Sequence, residues 1–352
     1  MVLSNMRLTS LLGTDFWNDS CDPRELAEAV SEGAVGATSN PVIVHQVVLN
    51  DRNKWMDVLD GLVADHGELS EDEIAWKLIT VLGREAAEIL RPVYEATQGC
   101  KGFLSMQVNP KFFGNARRMV EHGRELARLA PNVAIKIPAT AAGLGAIEQL
   151  TAEGIRINAT VCFSVAQAIA CAEAVERGVE RATADGVRTA TLLPTITLMV
   201  GRIDDHLRRV LESEEITVDP GHVNWAGVAI FKQTYGIFRQ RNFRSALLSA
   251  AYRYPMHWTE LIGDGVIQTM PYKWWKQFNA AIFAPERSLE RPVAEPTLRA
   301  LVEHFTDFRR AYEPNGMQPA EFVHYGATRH TLHQFLGGYQ KLVELVRERM
   351  LV

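Results

Sequence analysis

The sequence predicts an α/β chain of the (β/α)8, TIM-barrel class with extra helices, and three observations carry that expectation. Short apolar runs with strand character alternate with amphipathic stretches about eight times between residues 10 and 280. No Gly-x-Gly-x-x-Gly follows the first run, which argues against a doubly wound dinucleotide-binding sheet. At 352 residues the chain exceeds an ordinary domain but stays within the reach of one barrel with insertions. The expected organisation is a single domain over 1–352, with the barrel at about 10–280, a helical insertion at about 51–98 and a C-terminal helical tail at about 293–352.

In order, residues 10–16 read as a strand ending at Asp15, and Asp22-Pro23 opens a helix with an aspartate cap and a proline in its first turn. Residues 36–38 form a second short strand, followed by the Ser39-Asn40-Pro41 loop that starts the next helix. The insertion is helical, with Ser70 and Glu73 spaced as a capping box. Strands follow at 102–108, 133–137, 155–163, 187–194, 245–250 and 265–269. Helices are expected to about 129 and at 141–152, 164–177, 200–211, 222–239 and 271–280. Beyond Pro292 the strands stop, and two amphipathic helices, 295–312 and 319–350, close the chain. Such a tail could cover one barrel mouth or mediate homo-oligomer assembly, and the sequence does not choose.

Composition narrows the function. An apolar fraction of 47% and a charged fraction of 22% are those of a soluble globular protein. The net charge of −5 and pI near 6.1 disfavour nucleic acid or an anionic membrane surface as the main partner. No run of about 18 apolar residues is present to span a bilayer, and the N-terminus lacks the apolar core of a signal peptide. Cys21, Cys100, Cys162 and Cys171 form no C-x-x-C pair, which fits a reducing, cytoplasmic setting. His330 and His333 share a helix face without a third ligand, so a polar face is expected there and neither a metal nor a cofactor.

The residue that draws the chemistry together is Lys136, in N-V-A-I-K-I-P-A-T at 132–140. Nine of the 37 basic residues are lysines, and this one lies between Ile135 and Ile137. Burying an ammonium disfavours its charged form, lowers its pKa and yields a nucleophilic amine. The competing reading is a lysine on the polar face of an edge strand, or one snorkelling to water. In a barrel, polar residues at strand ends converge on one mouth. Those ends carry Asp15, Thr38, Asn40, Gln107, Lys136, Asn158, Thr160 and Thr197, with Arg202 and Arg253 just beyond. Taken singly, an Asn or Thr there is turn chemistry. Together they offer an amine nucleophile, a carboxylate for proton transfer, neutral hydrogen bonders and two arginines for an anion. That set suits a polyhydroxylated carbonyl substrate with an anionic end.

Four segments carry a resemblance: A-T-S-N-P at 37–41, I-K-I-P-A-T at 135–140, I-N-A-T-V-C-F-S-V-A-Q-A at 157–168 and V-G-R-I-D-D at 200–205. In order and spacing they resemble the transaldolase family of Schiff-base barrels, over about residues 10–280. The resemblance implies a transferase that moves a dihydroxyacetone unit between ketose and aldose substrates, phosphorylated or related polyols. It implies Lys136 as the Schiff-base lysine, Asp15 as the acid/base aspartate, and Asn40 and Asn158 as amides on the three-carbon unit. Thr160 would help hold a catalytic water, Arg202 and Arg253 would hold phosphate, and Thr38 would shape the loop. Three departures stand out. Gln107 occupies the place of a glutamate in the family's transaldolases and matches instead the related fructose-6-phosphate aldolases. Those pair the glutamine with a tyrosine, where this chain has Met199 and most transaldolases have phenylalanine. Thr197 stands where a phosphate-binding serine is usual. A lyase, or a non-catalytic sugar-phosphate binder, therefore remains the alternative to the transferase.

Overall fold

The computed structural model describes residues 3–351. Eight parallel strands close on themselves in sequence order: β1 (Thr14–Asn18), β2 (Gly36–Thr38), β3 (Phe103–Gln107), β4 (Val133–Pro138), β5 (Ile157–Cys162), β6 (Thr195–Leu198), β7 (Ala246–Ser249) and β8 (Val266–Met270). β8 returns to pair along the whole of β1, from Thr14↔Val266 to Asn18↔Met270. The expected (β/α)8 barrel is therefore what the chain forms. Helices on the outside bury the strands' second faces, which explains why the strands read as near-continuous apolar runs.

The first strand lies later than the sequence suggested. Residues 5–11 form α1 (Asn5–Leu11), whose buried Asn5, Met6 and Thr9 repeat at helical spacing. Ser4 caps it by accepting from the Arg7 amide, and Asn5 Nδ2 donates to the carbonyls of Phe278 and Ala281. The strand at 187–194 is also corrected. Its β-branched residues lie outside the sheet on a partly buried approach, and the ladder to β7 begins where Ala246 N donates to Pro194 O at 3.0 Å. Strand propensity there found no partner edge to pair with.

The connecting helices are α2 (Pro23–Ser31), α3 (Pro41–Asn50), α4 (Arg52–Asp65), α5 (Glu71–Ala96), α6 (Ala116–Ala127), α7 (Ala141–Ala152), α8 (Val165–Ala184), α9 (Val200–Ser213), α10 (Ala226–Arg241), α11 (Met256–Thr259) and α12 (Tyr272–Ala280). The capping box at Ser70 and Glu73 forms as expected. Trp258 and Trp275 are buried beside Phe16, Tyr252 and Phe278, with Trp274 partly buried against them, so the tryptophan cluster is core packing.

The tail comprises α13 (Glu295–His304), α14 (Thr306–Tyr312) and α15 (Gly326–Met350); the first expected long helix is broken near its middle at Phe305, and the second loses its first turns to a 3-10 helix, Pro319–His324. α15 packs on α3, α5 and α9, elements that lie on the side of the barrel where the strands end. Gly338 permits the approach: a Cβ there would sit 2.5 Å from Val42 Cγ2 and 3.0 Å from Val42 Cα. Tyr339 Oη donates to Asp72 at 2.6 Å. Within the tail it is α15 that lies over the mouth, while α14 packs on α8 and α10 of the outer layer.

Candidate active site

Side chains of one parity along each strand point into the barrel, and two contacts between non-adjacent strands identify them. Asn158 Nδ2 on β5 donates to Ser105 Oγ on β3 at 2.8 Å, and Thr38 on β2 meets Thr269 on β8, Oγ1 to Oγ1, at 2.8 Å. Register carries the assignment around: Gln107 pairs with Lys136, and Lys136 with Asn158. Below this layer the interior is apolar, with Trp17, Phe103, Ala134, Leu248 and Ile267 filling the barrel. The indole of Trp17 fits only because Gly36 lacks a Cβ, which would lie 2.4 Å from its ring.

Lys136 is 3% exposed, and its nearest hydrogen-bond acceptor is the Ser39 carbonyl at 3.5 Å. Burial is the main cause that lowers its amine to about 8; the Asp19 carboxylate opposes the shift and the Arg202 guanidinium adds to it. Asn158 is held from both sides, since Thr197 Oγ1 also donates to its Oδ1 at 2.7 Å. Gln107 Oε1 and Thr160 Oγ1 are buried without a partner among the described residues. Buried polar atoms left unsatisfied beside a reactive amine are the atoms a bound polar molecule would engage.

One expected residue is elsewhere. Asp15 lies near the start of β1 and pairs with Lys101 at 2.6 Å, just ahead of β3. Its other charged neighbour, Arg156, precedes β5, hydrogen-bonds the Cys100 carbonyl at 3.4 Å and stacks over Phe103. These are features of the barrel's opposite end. The carboxylate at the mouth belongs to Asp19, whose amide extends the β1–β8 ladder by donating to Met270 O at 2.8 Å. Thr38 Oγ1 donates to Asp19 Oδ1 at 2.6 Å. Burial raises the Asp19 carboxyl, opposed by Lys136, the Thr38 bond, Arg202 and Arg253. The signal was present in the sequence: Asp15, Trp17 and Asp19 share one strand parity, and the strand formers Phe16 and Trp17 carry the strand past Asp15.

The remaining residues sit on the loops above the barrel. Asn40 caps α3, its Oδ1 accepting from Val42 N at 3.0 Å and Ile43 N at 3.1 Å, which leaves its amide NH2 available. Met199 is buried where α9 begins. Arg202 donates through Nη1 to Gln334 of α15, lies 5.4 Å from the Phe335 ring, and keeps a buried Nε without a partner among the described residues. Burial, reinforced by Arg253, lowers its guanidinium to about 10. Arg253 forms a fork to Asp205, Nε to Oδ2 at 3.0 Å and Nη2 to Oδ2 at 2.8 Å. His330 accompanies this group through its bond to Gln334 at 2.9 Å.

Backbone strain sits beside the amine. Val161, directly after Thr160, has φ 54°, a left-handed conformation that β-branched residues rarely adopt. It accompanies a register shift between Ala159 and Cys162. Gln167 on α8 holds the kink: its Nε2 donates to the carbonyls of Val161 (3.1 Å) and Ala139 (3.0 Å), and its Oε1 accepts from Phe163 N (2.9 Å). Gln167→Leu strands these buried groups and is expected to cost about 2–4 kcal/mol, read as a lower urea midpoint at unchanged slope.

No helix among the described residues is long and apolar enough to cross a membrane. The family described as Transaldolase/Fructose-6-phosphate aldolase matches residues 16–311. The chain is 31% identical over 300 residues to a transaldolase of Thermobifida fusca, covering 76% of this chain and 80% of that one. It is 29% identical over 297 residues to transaldolase 1 of Streptomyces avermitilis, covering 76% and 78%. A transaldolase of Saccharopolyspora erythraea is 34% identical over 220 residues, 60% of this chain. With a closed eight-stranded barrel, a buried lysine at its mouth and this match, the chain belongs to the transaldolase/fructose-6-phosphate aldolase family.

Proposed function

We propose that the protein transfers a dihydroxyacetone unit between sugar phosphates through a Schiff base on Lys136, with Asp19 rather than Asp15 moving the protons. The observation that carries this reading is the amine of Lys136, buried, lowered to about 8 and facing the Asp19 carboxyl across the mouth. Neutral Lys136 attacks the ketose carbonyl carbon, Asp19 in its acid form gives a proton to the oxygen, which leaves as water, and an iminium forms. The Asp19 carboxylate takes the proton from the hydroxyl on the fourth carbon. The bond between the third and fourth carbons then breaks, its electron pair passing into the iminium to give an enamine, and an aldehyde departs. Asn158, fixed by Ser105 and Thr197, and the free amide of Asn40 hold the hydroxyls of the retained unit. Addition of the enamine to an acceptor aldehyde reverses these steps. Arg202 and Arg253 hold the anionic end, and the unpaired oxygens of Gln107 and Thr160 hold the water.

A lyase reading has one observation in its favour, Gln107. A glutamine orients water but cannot give or take a proton, so its presence bears on whether the enamine waits for an acceptor or is protonated and released. Two assays separate the readings. Borohydride reduction with fructose 6-phosphate is expected to leave a three-carbon adduct on Lys136; a chain that forms no adduct with any ketose phosphate is a binder and not an enzyme. Product formation that depends strictly on an added aldose phosphate supports transfer, and free dihydroxyacetone released without one supports the lyase. Gln107→Glu adds a negative charge beside the lysine, which favours the ammonium. It is therefore expected to shift the alkaline-rising limb of kcat/KM upward from about 8.

A further inference from the structure

Beneath the two arginines lies a buried acid–base pair that the proposed reaction does not use. Asp204 on α9 and His257 on α11 are 1% and 0% exposed, with Asp204 Oδ2 and His257 Nε2 2.8 Å apart. The tautomer follows from the other ring nitrogen. Nδ1 accepts from the Arg253 backbone N–H at 3.0 Å, so Nε2 carries the proton and donates to the carboxylate. Asp204 Oδ1 in turn accepts from Gly227 N of α10 at 2.8 Å. Every polar atom of the pair thus has a partner, and the chain of bonds runs from α10, through the helix that carries Arg202, to the backbone of Arg253.

The loop bearing Arg253 needs such a tie. Ala251 has φ 66°, a conformation an alanine adopts only under constraint. The loop is pressed on the start of α9 so closely that a Cβ on Gly201 would lie 2.0 Å from the Ala251 carbonyl oxygen. Gly227 meets α9 just as closely from the far side, 2.2 Å from the Val200 oxygen to a Cβ there. Arg202 and Arg253 therefore project from two backbones whose spacing is set by contacts below them. The side chain of Arg253 is half-exposed and forks to Asp205. An exposed ion pair of this kind contributes little to fixing the loop.

We propose that Asp204 and His257 are a buried positioning dyad that sets the spacing of Arg202 and Arg253, and with it the preference for substrates that end in a phosphomonoester. The proposal rests on the reading that these arginines bind the anionic end. Two cations at a fixed spacing match one dianion, and a loop free to move by an ångström loses that match while Lys136 and Asp19 stay where they are.

The test measures kcat and KM for fructose 6-phosphate together with the inhibition constant of inorganic phosphate. His257→Leu is expected to raise KM and the phosphate inhibition constant together by about tenfold, the loss falling on KM rather than kcat. His257→Asn keeps an acceptor near the Nδ1 position and is expected to hold the loss to about threefold. In the Arg253→Ala background His257→Leu should add nothing further, because its effect passes through Arg253. If the leucine variant does not fold, the same cycle is run with His257→Asn. An additive double variant, or a fall in kcat with KM unchanged, overturns the dyad. If Arg202→Ala and Arg253→Ala themselves leave KM and phosphate inhibition unchanged, the phosphate reading is what fails.

Discussion

Lys136→Met is expected to lower turnover by about 10⁴-fold or more and to abolish borohydride trapping, while leaving the barrel folded. The substitution removes the nucleophile and nothing that the fold needs. Lys136 makes one long bond, to the Ser39 carbonyl at 3.5 Å, and its amine is penalised by burial. The sign of the stability effect follows. The unfolded lysine titrates near 10.5 and the folded one near 8, so the unfolded chain binds more protons between these values and stability rises with pH across that window. Below about 8 the cost of burying the ammonium is present in full. Lys136→Met removes that cost, and its melting temperature should exceed the parent's most clearly at neutral or lower pH. A variant that loses activity only in proportion to a lost fold would sink the assignment. The same shift governs the parent's rate: kcat/KM is expected to rise with pH up to about 8, as the amine loses its proton, and then level.

Asp19→Asn and Asp15→Asn are expected to give opposite results. Asparagine at 19 keeps an oxygen for the Thr38 hydroxyl but can neither take nor return a proton, and kcat should fall by about 10²–10⁴-fold. It also removes the carboxylate that raises the Lys136 amine, so the pH limb of any residual adduct formation should move below about 8. Asparagine at 15 breaks only the ion pair with Lys101, which is partly exposed at the opposite end of the barrel, and should leave kcat unchanged at a cost of about 1 kcal/mol or less. If Asp15→Asn is the variant that loses turnover, the order of the two ends of β1 has been misread. Steady-state kinetics with fructose 6-phosphate and an aldose phosphate acceptor distinguish the outcomes.

The alternation of apolar runs and amphipathic stretches determined the barrel, because parallel strands buried on both faces must be apolar and each must be followed by a helix. Helix starts were legible wherever a cap made them local: Asp22-Pro23, Asn40-Pro41 and the Ser70–Glu73 box all formed as read. Lys136 was legible for a related reason. A charge in an apolar strand is out of place whatever surrounds it, and the fold gave it the burial that the sequence implied.

Tertiary structure decided what depends on partners distant in the chain. Asp19 rather than Asp15 occupies the mouth because β8 pairs with β1 through Asn18, and a strand's end is fixed by its neighbour's length, not by its own residues. Residues 187–194 carry strand formers but meet no free edge. The kink at Val161 exists because Gln167, six residues on, supplies the donors and acceptor that hold it. α15 lies over the mouth because Gly338 admits Val42 and Phe335 lies against Arg202, contacts between residues far apart in the chain that no local pattern encodes. Local sequence determines which backbone states are cheap; which charge faces which substrate atom is set by register and closure, and those belong to the assembled barrel alone.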